Sequence, residues 1–143
     1  MSILGATGSV GCSTLDLIGR DPARYDVVVL TGNSNVELLA QQAIAHDAEL
    51  AVLADPSGFK DLKSALSGTS VEAAAGPDVL IEAVSRPADW IMAAIVGSAG
   101  LRPTLEAVRQ GSSVALANKE CLVSAGDIFM DAVAKSGTQL LPV

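Results

Sequence analysis

Aromatic residues make up only 3% of this 143-residue sequence, although 50% of it is hydrophobic. Its core must therefore be built from Ala, Val, Leu and Ile, a composition that suits parallel strands covered on both faces by helices. Cysteine is scarce as well. Cys12 and Cys121 stand far apart, without a CxxC or Cys/His spacing. They suggest neither a zinc site nor a redox pair, and they fit a reducing, cytoplasmic compartment. His46 is the single histidine, which excludes a multi-histidine metal site and leaves no convincing Cys–His pair. Core or surface filling is the expected role of all three. Basic residues number 9 against 16 acidic ones, for a net charge of −7, and no Lys/Arg cluster occurs. Nucleic-acid binding needs clustered cations to neutralise phosphates, so that class of partner is disfavoured. The acidity favours solubility instead. Long apolar runs are missing too. The stretch 91–96 is far shorter than the roughly 20 residues needed to cross a bilayer. No basic segment leading into an apolar run opens the chain, so neither a membrane span nor a signal peptide is expected.

What is present is a regular alternation of short apolar runs and helical stretches, over a length typical of one compact domain. Strands are expected at 2–4, 26–31, 50–53, 69–73, 90–96, 113–117 and 140–143, with Val27, Val28 and Val29 supplying β-branched residues to the second. Residues 90–96 are the strongest candidate for a fully buried strand. Helices are expected at 9–19, from an Asn35 cap to 45, after a Ser57 cap through Leu66, at 77–84 and at 101–110. Pro103 near the start of that last helix and Gly111 just past its end follow the usual asymmetry. Asn118 should cap a final helical region that Gly126 interrupts and Gly137 ends. Such alternation implies right-handed βαβ units: an α/β fold with a doubly wound, mainly parallel sheet, Rossmann-like in outline. The chain enters a strand almost at Met1 and stops in one at Val143, so a domain fragment of a longer enzyme is expected.

Chemistry concentrates at two places. Gly5-Ala6-Thr7-Gly8-Ser9-Val10-Gly11 falls between a strand and a helix. Glycines there allow a tight turn, close approach of a pyrophosphate to backbone amides, and close helix–strand packing. The spacing G-x-x-G-x-x-G is less specific than G-x-G-x-x-G, but its strand–turn–helix context points to a nucleotide. In NAD-specific domains an acid roughly 20 residues further on binds the ribose 2′-hydroxyl. Counting from Gly11 reaches Thr31, and the loop Thr31-Gly32-Asn33-Ser34-Asn35 contains no acid. That loop favours NADP(H) over NAD(H), while also reading as a polar turn with a helix cap. The second place is Ala117-Asn118-Lys119-Glu120, at a strand end that opens a helix. These side chains suit a nicotinamide ribose and an anionic substrate group, although a capped helix with a surface charge pair needs the same residues.

Taken together with ILGATGSVGCSTLDLI, NVELLAQQA, MAAIVGSAGLRPTLEAVRQG, LANKECLVSAGDIFMDAV and QLLPV, these motifs make the sequence resemble the 1-deoxy-D-xylulose 5-phosphate reductoisomerase family over essentially its whole length. The resemblance implies an enzyme of isoprenoid biosynthesis. Such enzymes isomerise and reduce 1-deoxy-D-xylulose 5-phosphate to 2-C-methyl-D-erythritol 4-phosphate, with NADPH and a divalent cation (Mg²⁺ or Mn²⁺). By motif match, Thr7, Gly8, Ser9 and Val10 would bind the cofactor's phosphates, and Asn33, Ser34 and Asn35 would lie near its adenosine 2′-phosphate. Asn118 and Glu120 would contact NADPH, and Lys119 the sugar-phosphate substrate. The family pattern has a glycine near Asn33 and often a basic residue at Ser34, from which TGNSN departs. Its metal-binding Asp-Ser-Glu-His run is expected directly after Val143, followed by a catalytic lid and a helical domain. No metal or catalytic residue is therefore assigned within the chain, Asp127 and Asp131 reading as a solvated helix face. The parent is expected to be a cytoplasmic homodimer, and this portion alone to be inactive. Two other readings stand: a reductase of aspartate-semialdehyde-dehydrogenase type, which needs a nucleophilic cysteine, and a non-catalytic NAD(P)H-binding module.

Overall fold

Because both sheet faces are to be covered by helices, successive residues along each strand must bury in opposite directions, and they do. A computed structural model describes all 143 residues. Its elements are β1 (Ser2–Leu4), α1 (Ser9–Gly19), β2 (Val29–Gly32), α2 (Val36–Ala45), β3 (Leu50–Leu53), α3 (Phe59–Ala65), β4 (Glu72–Ala75), α4 (Pro77–Val84), β5 (Trp90–Ala93), α5 (Leu101–Arg109), β6 (Ser113–Leu116), α6 (Glu120–Ser136) and β7 (Leu140–Pro142). The strands form one seven-stranded sheet in the order β4-β3-β2-β1-β5-β6-β7. Every pairing is parallel. Ile3, Leu30 and Ala51 face one layer, packed by Leu15 and Ile18 of α1, Leu39 and Ala43 of α2 and Leu62 of α3. Leu4, Val29, Val52 and Ile91 face the other, packed by Leu80 and Val84 of α4, Val108 of α5 and Phe129 of α6. The expected doubly wound architecture is thus the observed one.

Local chemistry accounts for most element ends. Asn35 Oδ1 accepts from the Leu38 amide at 3.1 Å and caps α2. Pro77 sits in the first turn of α4, where its missing N–H costs nothing. Gly137 closes α6 in the left-handed region, at φ 70°.

Several boundaries differ from expectation. The expected Ser57 cap is not formed. Asp55 accepts instead from the Ser57 amide at 2.9 Å and starts a short 3₁₀ turn ahead of α3. That amide holds the Asp55 carboxyl below the usual carboxylate range. The fourth strand begins at Glu72 rather than Thr69, because Thr69 Oγ1 donates to Leu66 O at 2.7 Å and keeps a turn there. Strand β2 begins at Val29, although Val28 N already donates to Met1 O at 2.8 Å. Strand β5 ends at Ala93, and Trp90, 42% exposed, is not deeply buried. Helix α6 runs on past Gly126 but kinks at Ala125, whose φ/ψ of −146°/32° is non-helical.

Phe129 is the one fully buried aromatic side chain and pins α6 to the sheet. Phe129→Ala should cost about 3–5 kcal/mol of stability, read as a fall in the urea midpoint with m unchanged. A loss below about 1 kcal/mol would show α6 to be held by other contacts.

Candidate nucleotide-binding site

Strand β1 lies between β2 and β5, so the chain leaves it in opposite directions to build the two halves of the sheet. Loops diverge at such a switch point and leave a crevice beyond the carboxyl ends of the strands. A cleft of about 500 Å³ occupies it, lined by Gly5, Thr7, Gly8, Ser9, Val10, Thr31, Gly32 and Asn33 on one side and by Ala94, Ile95, Val96, Arg102 and Ala117 on the other. A larger groove, about 760 Å³, opens at the amino ends of the strands, around Tyr25, Asp26, Asp89 and Trp90. It lacks the glycine turn and lies at the end of the sheet where ligands of this architecture do not bind. The smaller cleft is the candidate site.

Its floor is built by the turn after β1. Gly5 has φ +87°, and a Cβ there would meet the Ala94 backbone at 2.8 Å. A Cβ on Gly11 would lie 2.3 Å from Gly5 O, so α1 can start this close to the strand only with glycine at that position. Gly5 N donates to Thr31 Oγ1 at 2.9 Å and Ala6 N to Thr31 O at 2.7 Å, which ties the turn to the end of β2. Helix α1 has no side-chain cap, and the amides of Ser9 and Val10 donate to no backbone acceptor of the chain. An uncapped helix start with free amides and a partial positive charge is an anion site. Of the residues singled out in the sequence, Thr7, Gly8, Ser9, Val10 and Asn33 line this one cleft. Ser34 and Asn35 are exposed just beyond Asn33, Asn35 being engaged in its cap. Asn118 is buried, Lys119 exposed and Glu120 half-buried, at the far end behind Ala117.

Sequence reasoning assigned no role to four residues of the cleft. Thr31 is a buried polar residue at a strand end that anchors the turn. Ile95 and Val96 form an apolar wall, Val96 being 82% exposed into the cleft rather than part of a strand. Arg102 is the only charged residue lining the cleft, with Asp78 4.0 Å from its guanidinium. Its place in the first turn of the helix after β5, at the carboxyl end of the sheet, was the available signal.

A sequence profile described as 1-deoxy-D-xylulose 5-phosphate reductoisomerase matches residues 1–126. The chain belongs to this reductoisomerase family. A 1-deoxy-D-xylulose 5-phosphate reductoisomerase of Zymomonas mobilis is 60% identical over 143 residues, covering 100% of this chain and 37% of the relative. One of Rhizobium meliloti is 58% identical over 147 residues, with 100% and 37% covered. The Zymomonas mobilis enzyme solved in complex with NADPH superposes with a TM-score of 0.97 at 60% identity, over 99% of this chain and 37% of that one. A DOX-P reductoisomerase solved with NADPH, fosmidomycin and magnesium gives 0.93 at 39% identity, over 99% and 35%. The chain thus spans little more than a third of the length of these reductoisomerases.

Membership of the reductoisomerase family sets aside the aspartate-semialdehyde-dehydrogenase reading, and the thiols agree. Cys121 is fully buried in α6, and that burial pushes its thiol pKa up. Cys12 is half-buried in α1. No group of three or more His, Cys, Asp or Glu side chains comes together. Asp131 is paired with Lys135 at 2.6 Å on the exposed face of α6. Alkylation of the native protein at pH 8 should therefore reach Cys12 first and Cys121 only after denaturant is added. Rapid modification of native Cys121, read by peptide mass mapping, would contradict its burial.

Proposed function

We propose that the chain is the NADPH-binding domain, over residues 1–143, of an enzyme that converts 1-deoxy-D-xylulose 5-phosphate to 2-C-methyl-D-erythritol 4-phosphate in isoprenoid biosynthesis. The observation that carries the reading is the uncapped start of α1, aimed across a glycine turn into the switch-point cleft. The fit to a dinucleotide rests on residues present: free amides for phosphate, an apolar wall for a ring, and no carboxylate in the lining. NADPH, when bound, supplies the hydride for reduction. Thr7, Gly8, Ser9 and Val10 hold its phosphates, and Asn33, Ser34 and Asn35 receive the adenosine 2′-phosphate. Ile95 and Val96 shield the nicotinamide end from water, Asn118 and Glu120 shape it, and Lys119 meets the substrate's phosphate. The support for NADPH in place of NADH is the acid-free loop 31–35, since a carboxylate there would repel the 2′-phosphate.

The Mg²⁺ or Mn²⁺ of the proposed reaction finds no fit here. A hard divalent cation needs clustered oxygen ligands, and no such cluster exists in the chain. We place those ligands, the lid and the helical domain in sequence outside residues 1–143, in keeping with the share of each relative that the chain covers. The parent is proposed to act as a cytoplasmic homodimer, as the family resemblance implies. No helix here is long and apolar enough to cross a membrane.

Calorimetry in phosphate-free buffer should show the chain binding NADPH more tightly than NADH. Equal affinities would remove the argument from the acid-free loop. With 1-deoxy-D-xylulose 5-phosphate and Mg²⁺ or Mn²⁺ present, residues 1–143 should not oxidise NADPH, whereas a chain extended to the relatives' length should. Metal-dependent turnover by residues 1–143 would mean that they hold metal ligands after all.

A further inference from the structure

We infer that Asn118 is a positioning residue, which clips the loop after β5 to the turn after β6 and so sets the nicotinamide end of the cleft, rather than a side-chain ligand of the cofactor. The inference rests on the NADPH-binding function proposed above. A primary amide offers two N–H donors and a carbonyl oxygen with two lone pairs, and this one has engaged both donors and one lone pair inside the protein. Its Nδ2 donates to Ile95 O at 2.6 Å and to Gly97 O at 3.0 Å. Its Oδ1 accepts from the Glu120 amide at 2.9 Å. The residue is 1% exposed, so the remaining lone pair is closed off from a ligand.

The carbonyls it binds lie where the sheet has ended. Ala94 N donates to Leu4 O at 2.8 Å, and beyond it no backbone N–H is bonded to Ile95 O. Asn118 supplies the missing donor to the segment whose Ile95 and Val96 wall the cleft. Close packing at this clip extends to Gly100, where a Cβ would lie 2.3 Å from Asn118 Nδ2 and 2.5 Å from Ile95 O. The amide is chemically required, not merely accommodated. A carboxylate of the same shape would set a negative oxygen against two carbonyl oxygens. Only when protonated would it again donate one hydrogen bond.

The test uses the 143-residue chain with two probes, NADP⁺ and adenosine 2′,5′-bisphosphate, which carries only the adenosine half. By calorimetry, Asn118→Ala and Asn118→Asp should each weaken NADP⁺ binding about tenfold, or about 1.4 kcal/mol, and leave the bisphosphate unchanged. In Asn118→Asp, burial and the facing carbonyls raise the carboxyl pKa. Its NADP⁺ affinity relative to wild type should therefore recover as pH falls, while that of Asn118→Ala should not. In the ligand-free chain the Glu120 amide should exchange faster in Asn118→Ala than in wild type. Unchanged NADP⁺ binding, equal weakening of both probes, a pH-independent Asp variant or an unchanged Glu120 exchange rate would each overturn the inference. Failure of the wild-type chain to bind either probe would instead overturn the proposed function, with Glu120 exchange still deciding the clip.

Discussion

The contact between Gly11 and the carbonyl of Gly5 governs how the molecule is put together. A side chain of even one carbon at position 11 would overlap that oxygen, at 2.3 Å, so the distance from α1 to the β1 turn is set by glycine alone. Because α1 starts there, its free amides open onto the crevice beyond β1. Because the same turn donates to Thr31 and β1 accepts from Ala94 N, it is also fixed to both neighbouring strands. Fold and site therefore share one constraint: loosening it would separate the helix from the strand and remove the anion site together.

Scarcity of aromatic residues serves the same end. The buried residues of α1, α2, α4 and α5 include Gly11, Ala40, Ala43, Ala83 and Ala107. Small residues on a helix face let its backbone approach the sheet closely, and a thin layer of contacts can still reach interior packing density. Bulk is then concentrated at a few points, such as Leu39, Leu62 and Phe129. Burial is complete along β1, β2 and β3 and thins toward the edge strands β4 and β7.

The repeat of strand, turn and helix was legible because strong local signals mark it: the glycine turn at 5–11, the Asn35 cap, and Pro77 at the start of α4. Strands β1 and β3 and helix α4 fall where the sequence places them. Strand β5 was overextended for a physical reason. An apolar residue in a sheet and an apolar residue facing a ligand cleft look alike in sequence, and Val96 is the second kind. That the glycine turn and Asn33 line one cleft was legible because backbone geometry places them at the ends of β1 and β2. Arg102 carried only a signal of position, the first turn of the helix after β5; that its side chain lines the cleft depends on how α5 docks. Asn118 was read from its motif as a cofactor contact, whereas its side-chain hydrogen bonds turn inward, to Ile95, Gly97 and Glu120.

A net charge of −7 opposes a cofactor as anionic as the dinucleotide phosphate proposed for the cleft, and the distribution of charge removes the conflict. No Asp or Glu lines the cleft, where Arg102 is the sole charged residue. Asp26, Glu49 and Asp89 gather instead at the groove beyond the amino ends of the strands. Those acids act through solvent, and exposed charges are screened beyond about 10 Å at moderate ionic strength. The amides of Ser9 and Val10 act at hydrogen-bond range on whatever sits at the helix start, where solvent does not intervene. Short-range dipoles thus outweigh a larger but distant and screened net charge. The parallel sheet makes this separation possible, since every strand sends its carboxyl end, and the loop that follows, to the same side.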